Sequence, residues 1–314
     1  MIKIILILFL FQASLAQTPI EKGVVFFSEK KFNEALKVFK SVNEGQAGYA
    51  DAQYYLGRIS FNDKKWDEAV EYLEKAVGIN NKVADYHYWL GNSYGSQAQE
   101  SNFFKQGILA PKVKSEFEKT VQLDPQNTDA YHGLISFYSQ APGVMGGSWE
   151  KAHECADQIK KLKPAEGCRA KANIYVRQEN FSGAETEWKN AVKADPNVLP
   201  SLISFYSSQK KYNAAFEELD AALKKDPDNM MNIYQYGRTS AMSGERLDQG
   251  AVYLKKYLNY TPKENEPSIA GANMRLAQIM EKKGDKNEAR KRFQLAHKLD
   301  PNLKEAKEGV ERLK

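Results

Sequence analysis

The stretch from Tyr54 to Ala76 reads YYLGRISFNDKKWDEAVEYLEKA. Apolar and small residues recur in it at steps of three and four, in two runs that the polar segment Asn62-Asp63-Lys64-Lys65 separates. This pattern predicts two amphipathic helices joined by a short turn. A helical hairpin of this size cannot bury its own apolar face, so we expect it to stack on neighbouring hairpins.

The same pattern recurs along the chain. Leu56-Gly57 is followed by Leu90-Gly91, at a distance of 90 − 56 = 34 residues. The segment LISFYS occurs twice, at 134–139 and at 202–207. Small and aromatic residues mark the second helix of further copies: Ala35, Phe39, Ala69, Ala184, Trp188, Ala215, Ala289 and Phe293. The sequence therefore predicts an array of similar hairpins and leaves no room for a separate catalytic domain.

These residue types and their spacing resemble the tetratricopeptide repeat family. The family pattern has an aromatic residue, Leu-Gly and Tyr in the first helix, with Ala, an aromatic residue and Pro in the second. The resemblance implies an all-α fold, a right-handed superhelical solenoid of helix-turn-helix repeats. We expect eight repeats in residues 17–301 and a C-terminal capping helix in residues 302–314, because such arrays need a polar end.

Residues 1–16 have the layout of a secretory signal peptide. Lys3 precedes an apolar run from Ile4 to Phe11, and the small residues of Ser14-Leu15-Ala16 follow. The apolar run is shorter than the roughly 20 residues that span a bilayer as a helix. We expect a mature chain that starts at Gln17, has no membrane span and is exported to the periplasm or the exterior. The alternative is a retained membrane anchor.

Two consecutive repeats, the third and the fourth, carry insertions. The first falls within residues 95–111 and includes Phe103 and Phe104, and the second includes Val144 and Met145. Because both lie between a first and a second helix, we expect them to emerge along the same edge of the array. Two interpretations remain open. The apolar insertion residues either pack on each other over the helix ends or form an exposed site for a partner.

Motifs for catalysis and cofactor binding are absent from the sequence. It contains no His-Glu-x-x-His for zinc, no Cys-x-x-Cys-His for haem, and no lysine after Gly147 as a phosphate-binding loop needs. We therefore expect no enzyme activity, no metal and no cofactor. Lysines cluster near helix ends, where they complement the helix dipole, so the net charge of +5 does not indicate nucleic-acid binding.

The two cysteines of the chain are Cys155 and Cys168. The family resemblance places them on helices that pack antiparallel, and a disulfide forms readily in an oxidising compartment. The alternative is that each is a separate small apolar residue in the core. The sequence leaves both possibilities open.

The resemblance also implies that the first helices line a concave groove, with ligand contacts at fixed repeat positions. In this sequence those positions hold Tyr54, Arg58, Asn62, Tyr88, Asn92, His132, Arg169, Asn173, Arg177, Tyr234 and Arg238. Such side chains can hydrogen-bond an extended peptide and pair with carboxylates. We therefore expect a protein or peptide partner with an acidic or carboxylate-bearing segment. The alternative is a solvated groove without a dedicated ligand.

These observations favour a non-enzymatic scaffold or adaptor of the bacterial cell envelope that binds an extended partner segment in its groove. The alternative function is a structural or accessory subunit of an envelope enzyme or secretion assembly. In that case binding occurs through the insertion edge of repeats three and four. The sequence alone does not decide the oligomeric state or the identity of the partner.

Overall fold

A computed structural model describes residues 18–313. In this part of the chain all regular structure is helical, with seventeen α-helices, two short 3-10 turns and no strand. The predicted all-α class is therefore confirmed. The predicted signal peptide, residues 1–16, lies outside the described residues.

The α-helices follow one another with short connections. They are α1 Pro19–Ser28, α2 Phe32–Lys40, α3 Tyr49–Asn62, α4 Trp66–Ile79, α5 Ala84–Gln99, α6 Phe103–Leu123, α7 Thr128–Gln140, α8 Trp149–Leu162, α9 Pro164–Arg177, α10 Phe181–Ala194, α11 Leu199–Ser208, α12 Tyr212–Lys225, α13 Met230–Ser243, α14 Leu247–Tyr257, α15 Ile269–Lys282, α16 Lys286–Leu299 and α17 Lys304–Arg312. The 3-10 turns are Gly143–Met145 and Pro196–Val198.

The described part of the chain divides into two compact units, one up to residue 163 and one from residue 164 onward. The described part of the first unit holds four helical hairpins, from α1/α2 to α7/α8. The second unit holds the hairpins from α9/α10 to α15/α16, and α17 packs on α16. Each hairpin therefore buries its apolar face on its neighbours within the unit.

Close contact within a hairpin depends on small residues. A Cβ atom added to Gly57 in α3 would lie 2.6 Å from Leu73 Cγ in α4, and one added to Gly237 in α13 would lie 2.3 Å from Leu254 Cγ in α14. Leu73 and Leu254 are fully buried. The glycine thus makes room for a large side chain of the second helix. This contact explains physically why a glycine recurs at this position of the first helices.

We predict opposite effects for two glycine substitutions in helices. Gly237→Ala should lower the free energy of unfolding by about 1–3 kcal/mol, because the new methyl group overlaps Leu254. Gly78 in α4 has no neighbouring atom within 4 Å of an added Cβ. Gly78→Ala should therefore raise the free energy of unfolding by about 0.5–1 kcal/mol, since alanine restricts the unfolded chain. Urea unfolding midpoints of the two variants and the wild type check both predictions. A Gly237→Ala variant as stable as the wild type would contradict the packing of Gly237 against Leu254.

The insertion of the third repeat is helical, which corrects the expectation that extra residues separate the two helices. The residues extend α6 at its N-terminus, and the helix continues through Pro111. Asn102 starts it early, because its Oδ1 accepts a hydrogen bond from the Lys105 amide at 3.0 Å. Phe103 and Phe104 consequently lie in the first turn of α6.

The insertion of the fourth repeat is a turn between α7 and α8. It contains the 3-10 turn Gly143–Met145, and Gly146 reverses the chain with a φ of 93° that suits glycine. The Ser148 amide then donates to the Tyr138 carbonyl at 3.0 Å. The Ser148 side chain also caps α8.

Candidate functional site

A cavity of about 770 Å³ lies in the first unit between α5, α6, α7 and the turn that follows α7. Its lining includes three predicted groove residues, Tyr88, Asn92 and His132. It also includes two residues of the predicted insertion edge, Phe103 and Met145. Three of the predicted groove residues and two residues of the predicted insertion edge therefore line one cavity, where the sequence treated the two surfaces as alternatives.

The packing of Phe117 explains why this cavity forms. The Phe117 side chain of α6 is 5% exposed and lies against Gly91 of α5 and Gly133 of α7. Further along α5, Gly95 presents no side chain, and nothing lies within 4 Å of a Cβ added there. The N-terminal extension of α6 then approaches Met145, whose Cε would lie 3.6 Å from a Cβ at Gly107. Space left open at Gly95 is thus enclosed by the two insertions.

The charge of this cavity is negative. Asp129 is among its lining residues, which include no lysine or arginine. Asp51, Asp85 and Asp129 are exposed and occupy the first turns of α3, α5 and α7. Burial raises the pKa of Tyr88, and the carboxylates of Asp129 and Asp85 raise it further. An acidic partner segment therefore finds no cation in the lining of the first-unit cavity.

Part of the insertion edge faces away from the cavity. Phe104 is 82% exposed, Ile108 67% and Val144 96%, and none of them lines the cavity. Apolar side chains exposed together are typical of interaction surfaces. We refer to Phe104, Ile108 and Val144 as the outer insertion edge.

Tyr54 and Arg58, predicted as groove residues, lie within the packed array. Tyr54 is 6% exposed, and burial raises its pKa to about 12. The Arg58 guanidinium lies 4.7 Å from the Phe27 ring centroid and 4.4 Å from that of Trp89. Its Nη1 donates to Tyr54 Oη at 3.2 Å. These contacts join α1, α3 and α5 and give Arg58 a structural role that sequence spacing does not reveal.

We predict that Arg58→Ala destabilises the first unit by about 2 kcal/mol, because partly desolvated cation–π contacts have this magnitude and the alkyl chain also packs. Arg177→Ala is the matched control, since Arg177 is an exposed arginine at the end of α9. Surface substitutions of that kind usually stay within about 0.5 kcal/mol. Urea unfolding of both variants checks the prediction, and equal midpoints would contradict it.

The remaining predicted groove residues are dispersed. Asn62 is exposed at the end of α3. In the second unit, Arg169 and Arg177 are exposed on α9, whereas Tyr234 is buried against Tyr257 with ring centroids 5.2 Å apart. The predicted set is therefore not one continuous surface of accessible side chains.

A second cavity, of about 460 Å³, lies within the second unit. Its lining includes Asn173 and Gln235 together with Trp188 of α10. Arg238 adjoins it, because Arg238 Nη1 donates to Gln235 Oε1 and to Ser204 Oγ, each at 3.3 Å. The repeat pattern in the sequence identifies Trp188 only as a marker of a second helix. Its indole N–H, rare among the second-helix residues at this repeat position, is the signal that could have identified it.

The disulfide that the sequence allowed between Cys155 and Cys168 is not formed in the structure. Cys155 carries a thiol that is 8% exposed. Cys155 lies on the side of α8 that faces α7, and its charge, when ionised, would raise the pKa values of Tyr131 and Tyr138. Burial raises the pKa of this thiol to about 12. Packing inside the α7/α8 hairpin thus accounts for Cys155, in agreement with the second interpretation of the sequence.

Within residues 18–313, histidine, cysteine and acidic side chains do not gather in a group of three or more that could hold a metal ion. In the same part of the chain, every helix is too short or too polar to cross a membrane.

Comparison with known proteins agrees with the repeat pattern. Models described as tetratricopeptide repeat match residues 26–91, 169–230 and 272–302. No curated protein sequence matches the chain. Among solved structures, a tetratricopeptide repeat protein from Parabacteroides merdae is 14% identical, with a TM-score of 0.47, covering 94% of this chain and 97% of its own.

Two other similar structures are shorter. MamA is 19% identical with a TM-score of 0.46, and the match covers 56% of this chain and 95% of MamA. A thermophilic tetratricopeptide repeat protein from Thermus thermophilus is 16% identical with a TM-score of 0.45, and the match covers 60% of this chain and 97% of that protein. The family models, together with the hairpin array, lead to one conclusion: the chain belongs to the tetratricopeptide repeat family.

Proposed function

We propose that this protein is a non-enzymatic scaffold of the bacterial cell envelope that binds an extended segment of a partner protein. Proteins of the tetratricopeptide repeat family bind protein partners. The observation that supports a specific site is the first-unit cavity, in which groove residues and insertion residues meet. We propose this cavity as the main docking site.

The chemistry of the cavity suits a peptide. Its volume of about 770 Å³ lies in the range of roughly 300–1,000 Å³ typical of ligand pockets. Phe103, Phe137 and Met145 offer apolar area to a side chain of the partner. Asn92 and Gln140 carry amides that can both donate to and accept from a peptide backbone. An extended segment with an apolar anchor residue matches this lining.

The envelope location rests on the signal-peptide layout of residues 1–16. N-terminal sequencing of the protein isolated from its native host tests this part of the proposal. The expected N-terminus is Gln17. Recovery of the protein with an intact Met1 from the cytoplasmic fraction would count against export.

Filling the cavity should weaken partner binding without disturbing the core. Gly95→Leu places a side chain in the cavity at a position with no neighbouring atom within 4 Å. Gly78→Leu is the matched control, also an unobstructed helical glycine but outside the cavity. Crosslinking in native cells identifies the partner, whose affinity is then measured with the purified proteins. We expect Gly95→Leu to weaken binding about tenfold or more, equivalent to about 1.4 kcal/mol, and Gly78→Leu to bind like the wild type.

The outer insertion edge supports the alternative function, that of a structural or accessory subunit. Phe104, Ile108 and Val144 are exposed there, and desolvating them would stabilise an interface. The double variant Phe104→Asp/Val144→Asp separates the two functions. If this variant loses the partner while Gly95→Leu keeps it, the outer insertion edge and not the cavity is the docking site.

A further inference from the structure

The second helix of the last hairpin, α16, carries an excess of cations. Its 14 residues, KNEARKRFQLAHKL, include five lysines and arginines and one acidic residue, Glu288. The equivalent helix of the second hairpin, α4, has four acidic residues and one lysine in the same length. Lys291 stands where α4 has Glu71, counted from the buried alanines Ala289 and Ala69. The charge of α16 is therefore a property of this repeat and not of the shared repeat pattern.

Three of these cations have no partner. Arg290, Lys291 and Lys298 are exposed and, within residues 18–313, their side chains make neither an ion pair nor a hydrogen bond. Arg290 and Lys291 lie in the second turn of α16, so complementing the dipole at the C-terminal end does not account for them. Several neighbouring cations, in contrast, are paired with carboxylates. These pairs are Arg275–Glu305 at 3.0 Å, Arg292–Glu288 at 2.7 Å, Arg312–Glu281 at 2.8 Å and Lys283–Asp248.

The three unpaired cations share one half of α16 with exposed leucines. Because each residue turns the helix by about 100°, this half points away from the buried residues Ala289, Phe293 and Ala296. Leu295 is 40% exposed and Leu299 52%. The helix α17 packs on α16 and leaves this half open to solvent. We refer to it as the basic face of α16, formed by Arg290, Lys291, Leu295, Lys298 and Leu299.

We infer that the basic face of α16 docks on an anionic phospholipid surface. Lysines and arginines near such a surface are attracted by its negative charge, and leucines beside them can enter the boundary between head groups and acyl chains. Five side chains on one helix are few for a stable protein interface, which buries roughly 800 Å² on each partner. Attraction to a charged lipid surface needs no such area, because each cation contributes separately.

This inference goes beyond the proposed scaffold function. It concerns the surface to which the second unit attaches, and not the partner segment that the first-unit cavity binds. The two can therefore fail independently.

Sedimentation with lipid vesicles tests the inference on the full chain. One set of vesicles contains equal parts of phosphatidylcholine and phosphatidylglycerol, and the other contains phosphatidylcholine alone. The test variant is Arg290→Gln/Lys291→Gln. Its matched control is Lys224→Gln/Lys225→Gln, which removes the same charge from two exposed lysines at the end of α12. All proteins carry the same N-terminus, so they differ only at the substituted residues.

We expect the wild type to bind the anionic vesicles more tightly than the neutral ones. This difference should shrink as the salt concentration rises, because salt screens exposed charges beyond about 8–10 Å at physiological ionic strength. Arg290→Gln/Lys291→Gln should weaken binding to the anionic vesicles about tenfold or more, whereas the α12 control should bind like the wild type.

The leucines have a separate test. Leu295→Gln/Leu299→Gln should also weaken binding to the anionic vesicles, by several-fold, since the leucines no longer enter the lipid boundary. Circular dichroism confirms that every variant is folded, and all substituted side chains are exposed.

Equal vesicle binding by the wild type and Arg290→Gln/Lys291→Gln would overturn the inference, as would full binding by the leucine variant. Polyglutamate in solution covers the other occupant. If the wild type binds polyglutamate through Arg290 and Lys291 but does not bind the vesicles, the face takes an acidic protein and the lipid surface is refuted. None of these results bears on the first-unit cavity, which Gly95→Leu tests through partner binding.

Discussion

Replacement of Glu116 by alanine is expected to lower the free energy of unfolding by about 1–3 kcal/mol, the usual cost of leaving a buried polar group without its partner. His87 of α5 is 5% exposed, and its Nδ1 lies 2.6 Å from Oε2 of Glu116 in α6. Its Nε2 lies 3.1 Å from the Asn81 carbonyl oxygen. Because that carbonyl oxygen can only accept, Nε2 is the donor of this hydrogen bond, and Nδ1 is the ring nitrogen that faces the carboxylate.

This pair joins the two helices that enclose the first-unit cavity. Without Glu116, the His87 side chain keeps its burial but loses its partner at Nδ1, which is why the single substitution is costly. The double variant His87→Phe/Glu116→Leu should recover most of the lost stability, since apolar residues can replace a buried pair at little cost.

Glu71→Ala is the control, because it removes a glutamate whose only ion pair lies on the surface. Glu71 pairs with Lys75 on the exposed face of α4, at 2.7 Å, and such pairs contribute about 0.3–0.5 kcal/mol. Urea unfolding of the three variants and the wild type measures these differences. A Glu116→Ala variant no less stable than Glu71→Ala would contradict a structural role for the pair.

The helical array could be predicted from the sequence because its determinants are local. Three- and four-residue spacing of apolar residues specifies each amphipathic helix, and the glycine of Leu-Gly specifies where the second helix approaches. Gly57 shows this contact directly, with Leu73 packed against it. Gly237, which follows Tyr236, takes the same place against Leu254. These features repeat at a fixed spacing, so each copy reinforces the assignment of the others.

The candidate site could be predicted only in part, because it depends on contacts between repeats. The sequence predicts that the insertion of the third repeat separates the two helices, whereas in the structure it extends α6, which begins directly after its cap at Asn102. Arg58 occupies a groove position of the family, yet the rings of Phe27 and Trp89 enclose it. Neither ring is near Arg58 in sequence, so spacing alone could not reveal the enclosure.

Native Cys155 is expected to be alkylated roughly a thousandfold more slowly than the same residue in the unfolded chain at pH 8. Burial, together with the nearby Glu154 and Glu118 carboxylates, raises the pKa of this thiol from its ordinary value of 9.0 to about 12. Each pKa unit reduces the thiolate fraction tenfold below the pKa, and only the thiolate reacts. A Cys168→Ser variant isolates Cys155, and iodoacetamide alkylation followed by mass spectrometry gives the rates with and without urea.

The same shift predicts a pH dependence of stability with a definite sign. Because the folded-state pKa is raised, the neutral thiol stabilises the fold fully below about pH 9, and this contribution is lost as the pH rises from about 9 to about 12. Burial also raises the pKa values of tyrosines such as Tyr206 and Tyr257 to about 12, so these side chains too contribute less stability as the pH rises. The Cys155→Ala variant isolates the contribution of the thiol to the pH dependence, since this variant should lose less stability between about pH 9 and about pH 12. Equal pH profiles, or native alkylation with a midpoint near pH 9, would show that Cys155 is accessible to solvent and not packed against α7.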